Sequence, residues 1–228
     1  MPKLFHPGVI AVFATIFLMN ISFGQSDAPE LKTEQEKLLY FMGTQLGETL
    51  IPMRLNDDEL NLVIHGTRDA VRGDAVDLDP RVYGPQLAQL GEERHNALLR
   101  EERPKAEAYL THMAAEDGAR TTESGLIYLP LKAGTGASPT LDSLIQLHFH
   151  GTLRDGTVID SSVDRAQPIQ VPLKRALPCW QEGFVLMQVG GKARLTCPAK
   201  LAYQDRGVGK IPPGAAVTFE VELIKIIE

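Results

Sequence analysis

The sequence predicts an α+β protein, with helices gathered in the first half of the chain and strands in the second. Three observations carry this. Between residues 33 and 118 apolar side chains recur at three- and four-residue spacing behind clear helix start signals. Between residues 124 and 228 apolar and polar residues alternate with period two, in stretches punctuated by glycine. Set among those strands, Ala176-Leu-Pro-Cys-Trp-Gln-Glu-Gly183 places the only Trp of the chain at the start of a short helix. Pro178 suits the first helical position, where its missing N–H has no intrahelical partner. Gly183 and the pair Gly190-Gly191 are expected to close that segment.

Residues 1–24 carry one cation, Lys3, then a mostly apolar run over 9–19, then small or polar residues. This is the layout of a cleaved secretory signal, whose apolar core is too short to span a bilayer comfortably. Ser22-Phe-Gly24 puts the cut after Gly24. The mature chain is then expected in the periplasm or outside the cell, with no stable membrane span. No cysteine stands near the cut, which argues against a lipoprotein. The expected divisions are 1–24 signal, 25–118 helical region and arm, and 119–228 strand-rich domain. A formal net charge of −6 gives no electrostatic footprint for nucleic acid and disfavours docking on anionic lipid.

In the helical region, Thr33-Glu-Gln-Glu36 has the form of a capping box, and Leu39, Met42 and Leu46 follow on one face beside Gly43 and Gly47. Asn56-Asp-Asp-Glu59 is a second start, its acids facing the positive end of the helix dipole, so the run marks a terminus and not a metal site. Leu60, Val63, Ile64, Thr67 and Val71 form the stripe, and Gly73 the stop. Asp79-Pro80 begins a third, heavily charged helical segment ending near Asp117-Gly118, with a kink or break expected at Pro104. A helix that charged does not bury itself; it reads as a spacer arm or half of a pairing surface.

After a linker at 119–123, Ser124-Gly-Leu-Ile-Tyr-Leu opens the strands. Ile145, Leu147 and Phe149 alternate with Gln146, His148 and His150, and the two histidines are expected to face solvent. Arg154-Asp-Gly156 makes a hairpin turn. In the last strand Val217, Phe219, Val221 and Leu223 share one face. Cys179 and Cys197 admit two readings, a disulfide in an exported protein or two small buried hydrophobes.

Asp155-Gly-Thr-Val-Ile-Asp-Ser-Ser162, Pro178-Cys-Trp-Gln-Glu-Gly183, Leu201-Ala-Tyr203 and Ile211-Pro-Pro-Gly-Ala-Ala-Val-Thr-Phe-Glu-Val-Glu-Leu223 resemble, in order and spacing, the FKBP family of peptidyl-prolyl cis-trans isomerases. The resemblance implies a twisted antiparallel sheet wrapped on a short helix, with Trp180 flooring an apolar pocket. Leu39-Tyr-Phe-Met-Gly-Thr-Gln-Leu-Gly47 and the arm resemble the N-terminal domain of secreted bacterial members, the macrophage infectivity potentiator group and its periplasmic chaperone relatives. That implies a homodimer intertwined through the short helices, and association with the outer membrane in some members.

The implied reaction is rotation about an X–Pro amide, with a barrier of about 18–20 kcal/mol. No bond breaks, so no metal or cofactor is required. The twisted amide is less charge-separated than the planar one, so an apolar pocket favours it over water. The resemblance assigns Trp180 as floor and Phe219, Phe149, Ala176 and Leu177 as walls, with the Leu177 N–H donating to substrate. It further gives Tyr203 a hydroxyl for a substrate carbonyl, packs Ile211 over the pocket, and pairs Asp160 on the rim with Arg165. Ile159 and Ile169 stand where the family has aromatic walls, Phe149 where it commonly has tyrosine, Ala176 where it has a larger aliphatic, and Gln204 where it has glycine. The implied partners are proline-containing, unfolded or partly folded polypeptides, with macrolide inhibitors a further ligand class. The alternative is a dimeric holdase whose isomerase activity is incidental.

Overall fold

The structure, a computed structural model, describes residues 29–227. The signal segment and its cut lie outside them. The chain divides into two units, 1–43 and 44–228. Helix α1 (Glu34–Leu50) opens on the expected capping box. Thr33 Oγ1 accepts the Glu36 N–H at 3.1 Å, and the Glu36 carboxylate accepts the Thr33 N–H at 2.8 Å. The Thr33 amide first, and the Lys32 amide second, hold the Glu36 carboxyl below its usual range. None of the α1 side chains is buried; Leu38, Leu39, Met42 and Leu46 all stand exposed.

Helix α2 (Asp57–Arg72) begins at Asn56, whose side chain and that of Glu59 form a second reciprocal cap, and it ends at Gly73 in the left-handed region. Glu59 has a further partner, Arg94 on the following helix, at 2.6 Å. The Arg94 guanidinium first, and the Asn56 amide second, hold the Glu59 carboxyl low. This ties the start of α2 to the arm, although α2 buries no side chain either.

Helix α3 (Pro80–Ala114) starts on Asp79 and runs unbroken for 35 residues, through Pro85 and Pro104. Of the kink or break expected at Pro104, the break does not occur. A proline in a helix interior costs about 3 kcal/mol, and packing on both sides of Pro104 offsets it. Leu98, Leu99 and Glu102 are buried before it, and Ala106 and Met113 after it. Only the second half of α3 is therefore docked on the strands, the first half being tied to α2 through Arg94. Tyr109 bonds Thr218 at 2.8 Å and Arg194 reaches Glu116 at 2.8 Å, fixing the second half to the strands.

The strands are β1 (Arg120–Thr121), β2 (Ile127–Lys132), β3 (Leu144–Leu153), β4 (Val158–Ser161), β5 (Ile169–Pro172), β6 (Lys192–Cys197) and β7 (Val217–Ile227). β1 lies in what the sequence reads as linker. The order is β1-β2-β6-β7-β3-β4, every pairing antiparallel, and β5 shares the β4 edge of β3. Along β3 every second residue is buried, so Ile145, Leu147, Phe149, Gly151 and Leu153 face the core. His148 and His150 are half-buried and not solvated outright, because Ser162 and Ser161 bond them, each at 3.0 Å.

Helix α4 (Pro178–Val185) packs on the core face, with Cys179, Trp180, Gly183 and Phe184 buried. Gly183 does not end it. A β-carbon there would stand 2.6 Å from Leu195 Cδ1, so the glycine lets α4 sit directly on β6. Cys179 and Cys197 are joined in a disulfide, their Cα atoms 5.8 Å apart. The question left open by the sequence is answered by position, since α4 and β6 bring the two residues, both fully buried, to bonding distance.

Candidate active site

Four aromatic rings form the centre of the sheet domain. Trp180 is approached edge-on by Phe149 and Phe219, each at 5.2 Å, and by Phe184 at 5.7 Å. Edge-to-face contacts of this kind add about 0.5–1.5 kcal/mol each to the burial of the rings. One small residue makes the arrangement fit. A β-carbon on Gly151 would stand 2.8 Å from Phe219 Cε1 and 3.1 Å from Ile159 Cγ1, so only glycine lets these side chains close over β3. Ahead of α4, Gln181 Nε2 donates to the Ala176 carbonyl at 2.9 Å.

The rings belong to the core of the sheet domain; Ile211 is buried in the same core, and Ile159, Ile169, Ala176, Leu177 and Tyr203 pack half-buried against it. They come from β4, β5, the turn before α4 and the 199–214 loop, so segments distant in sequence meet on one apolar surface. The Leu177 N–H stands at the start of α4, where the first helical amides lack intrahelical acceptors. Among the described residues it has no partner, and the same holds for the Tyr203 hydroxyl and the buried indole N–H of Trp180. The surface is thus apolar with a few open donors.

Asp160, at the rim on β4, accepts from the Arg165 guanidinium and from the Ser161 N–H, the latter at 2.8 Å. Arg165 also lies over the Phe149 ring, Cζ 6.0 Å from its centroid, so it bridges rim and wall. Burial pushes the Tyr203 hydroxyl above the usual tyrosine range, and the nearby Asp160 charge adds to the rise. Tyr203 therefore remains a proton-bearing donor throughout the neutral range.

Of the eleven residues singled out in the sequence, nine belong to this core or pack on it, and Asp160 and Arg165 pair beside it. Three supports were not legible. Phe184 completes the ring cluster, with nothing to distinguish it from ordinary core. Ser162 is fully buried and its hydroxyl accepts the Phe149 N–H at 2.8 Å, anchoring a wall residue from the neighbouring turn. Gln181 holds the loop before α4. The tandem serines after Asp160 and the polar pair inside the Trp motif were the available signals.

Known proteins point the same way. Residues 136–224 match the FKBP-type peptidyl-prolyl cis-trans isomerase domain, and residues 35–129 the domain found amino-terminal to it. The FKBP-type isomerase FkpA of Aeromonas hydrophila is 35% identical over 88% of this chain and 80% of its own length. The FKBP-type 22 kDa isomerase of Escherichia coli is 35% identical over 87% of this chain and 98% of its own. The crystal structure of FkpA from Escherichia coli superposes with a TM-score of 0.62 at 27% identity, covering 86% of this chain and 98% of that one. Both halves of the chain have their counterparts in these proteins, and the aromatic cluster lies within the matched isomerase domain. The chain belongs to the FKBP-type peptidyl-prolyl cis-trans isomerase family.

Proposed function

We propose that this isomerase acts on exported polypeptides, binding an X–Pro segment against Trp180 and lowering the barrier to amide rotation by desolvation. The observation that carries the reading is the Trp180–Phe149–Phe219 cluster edged by Tyr203, the Leu177 amide and the Asp160–Arg165 pair. The proline ring rests on the indole, with Phe149, Phe219, Ile159, Ile169, Ala176 and Ile211 as walls. Loss of amide resonance needs no base or nucleophile, and the apolar wall favours the twisted, less polar amide. The open donors of Leu177 and Tyr203 fix the flanking carbonyls, and Asp160 orients Arg165 at the rim. Macrolides that present a proline-like ring are expected to compete for the same surface.

Export is supported by the disulfide, a bond that persists in oxidising compartments, and by the secretory layout of residues 1–24. One relative, 29% identical over 91% of this chain, is named as an outer membrane protein of Legionella longbeachae. Among the described residues no helix is long and apolar enough to cross a membrane. The test is a protease-coupled isomerisation assay on a proline-containing peptide, with cell fractionation of the native chain. No acceleration above the uncatalysed rate would defeat the catalytic reading.

A second reading is favoured by the exposed apolar side chains of α1 and α2, such as Leu38 at 68% and Leu62 at 73%. They support a homodimer formed through these helices and, with it, a holdase function independent of the pocket. Suppression of client aggregation that survives loss of the pocket would support it.

A further inference from the structure

The docked half of α3 reaches two loops that frame the aromatic cluster. Arg103 Nη2 donates to Asp205 Oδ2 at 2.9 Å, two residues beyond Tyr203. One helical turn earlier, Leu99 meets Gly214 at the far end of the same loop. A β-carbon on Gly214 would stand 3.1 Å from Leu99 Cδ2, 3.5 Å from Arg103 Cγ and 3.8 Å from Asp205 Oδ1. The loop is pinched where it departs and where it returns, and the jaw is the arm.

What lies in the pinch is strained. Gln204 follows Tyr203 with a φ of +53°, in the left-handed region that a residue other than glycine holds only when its surroundings enforce it. The enforcing bonds run across the loop. The Gln204 N–H donates to the Ala199 carbonyl at 2.8 Å, the Gly214 N–H to the Gln204 carbonyl at 3.0 Å, and the Gly207 N–H to the Tyr203 carbonyl at 3.2 Å. On the opposite side buried Glu102 is ion-paired with Arg154 Nη2, 3.3 Å away. Arg154 begins the turn into β4, which carries Ile159 and Asp160.

We propose that Arg103 and Leu99 of the arm are positioning residues for the isomerase pocket, clamping the 203–214 loop so that Tyr203 and Ile211 stay directed at the aromatic cluster. The inference rests on the site assigned above. Neither residue touches the cluster, so neither is catalytic. The Arg103–Asp205 pair is more than half exposed on both sides, and exposed pairs contribute little to global stability. Its loss is therefore read in turnover and in loop mobility rather than in unfolding.

The experiment uses the full chain. Arg103→Ala, Asp205→Ala, the double variant and Arg103→Lys are assayed on a proline peptide, with kcat and KM separated. Amide hydrogen exchange is followed at Gly207 and Gly214, with Leu99→Ala as a second opening of the clamp. A displacement of an ångström at a positioned group can cost up to about 100-fold; a partial loosening is expected to lower kcat/KM by about 3- to 10-fold in each single variant. The double variant should fall no lower than the singles, Arg103→Lys should recover most of the loss, and Gly214 should exchange faster in Arg103→Ala and Leu99→Ala. Unchanged kcat/KM in Arg103→Ala overturns the proposal, as do multiplicative losses in the double variant or unaltered exchange at Gly214. Tyr203→Phe at full activity would instead sink the assignment of Tyr203, leaving the exchange measurements to decide the clamp.

Discussion

The indole N–H of Trp180 is buried without an acceptor among the described residues, and an unmet buried donor costs about 1–3 kcal/mol. The rings of Phe149, Phe219 and Phe184 enclose the indole and hold it there. Truncating Trp180 or Phe219 to Ala is expected to cost about 3–5 kcal/mol of domain stability, so lost activity in those variants is ambiguous. Tyr203→Phe and Asp160→Asn keep shape and test the chemistry. If desolvation dominates, each lowers kcat/KM only modestly, since one hydrogen bond is worth on the order of 1 kcal/mol net. Complete loss of turnover in Asp160→Asn with peptide binding intact would require a direct role for that carboxylate. Trp180→Leu, still apolar but without the floor, is expected to weaken proline binding as well.

Tyr203 also carries a pH signature. Its folded-state pKa is raised, by burial first and by Asp160 second. A phenol with a raised pKa contributes no differential stability while both states are protonated. As pH climbs past the unfolded value near ~10, the unfolded chain sheds its proton first and stability declines until the folded group titrates too. Spectrophotometric titration of tyrosinate, wild type against Tyr203→Phe, should place the missing ionisation above that of a free tyrosine. Placement at or below the free value would contradict the environment described.

At the scale of elements, α4 shows how position decides what sequence leaves open. Its start at Pro178 was legible, because proline there needs no acceptor. The role of Gly183 was not, because a stop and a close approach demand the same residue; only Leu195 against its Cα settles it. Gly183→Ala should lift α4 from β6 and destabilise the domain by about 1–3 kcal/mol, measured by urea unfolding. The cysteines pose a similar ambiguity, since burial and pairing both favour small apolar surroundings. Replacing Cys179 and Cys197 together by Ala removes a cross-link of sequence separation 18. A loss of about 2–4 kcal/mol is expected, and an unchanged midpoint would mean the bond is not formed in solution. In α3 the periodicity was readable but its burial was not. Pro104 looked like an interruption because the neighbours that compensate for it lie more than a hundred residues away, at Asp205 and Thr218.

For the whole molecule, the helical and strand-rich halves were legible from periodicity, and the Trp180 helix start from its motif. The seam between them was not, since it depends on a helix that serves both. A chain cut at Ala119 would uncover Thr218 and lose the partners of Asp205 and Arg154. A chain beginning near Glu93 keeps them, and should unfold at higher denaturant than the shorter one. By sedimentation the mature chain is expected to be a dimer and the Glu93 chain a monomer; a monomeric mature chain would remove the dimer reading. Non-reducing electrophoresis should show no inter-chain disulfide, because both cysteines are already joined within one domain.

Strand β7 has a bearing on how the protein comes into being. It holds the middle of the sheet, between β6 and β3, yet it is the last strand in the chain. A polypeptide emerging from a ribosome or threading through a membrane pore can pair β2 with β6, and β3 with β4 and β5, before Val217 appears. Those two half-sheets have no bond to each other until β7 arrives between them, bringing Phe219 with it. Of the described strands, the last to emerge thus joins the two half-sheets and carries Phe219 to Trp180 in one event.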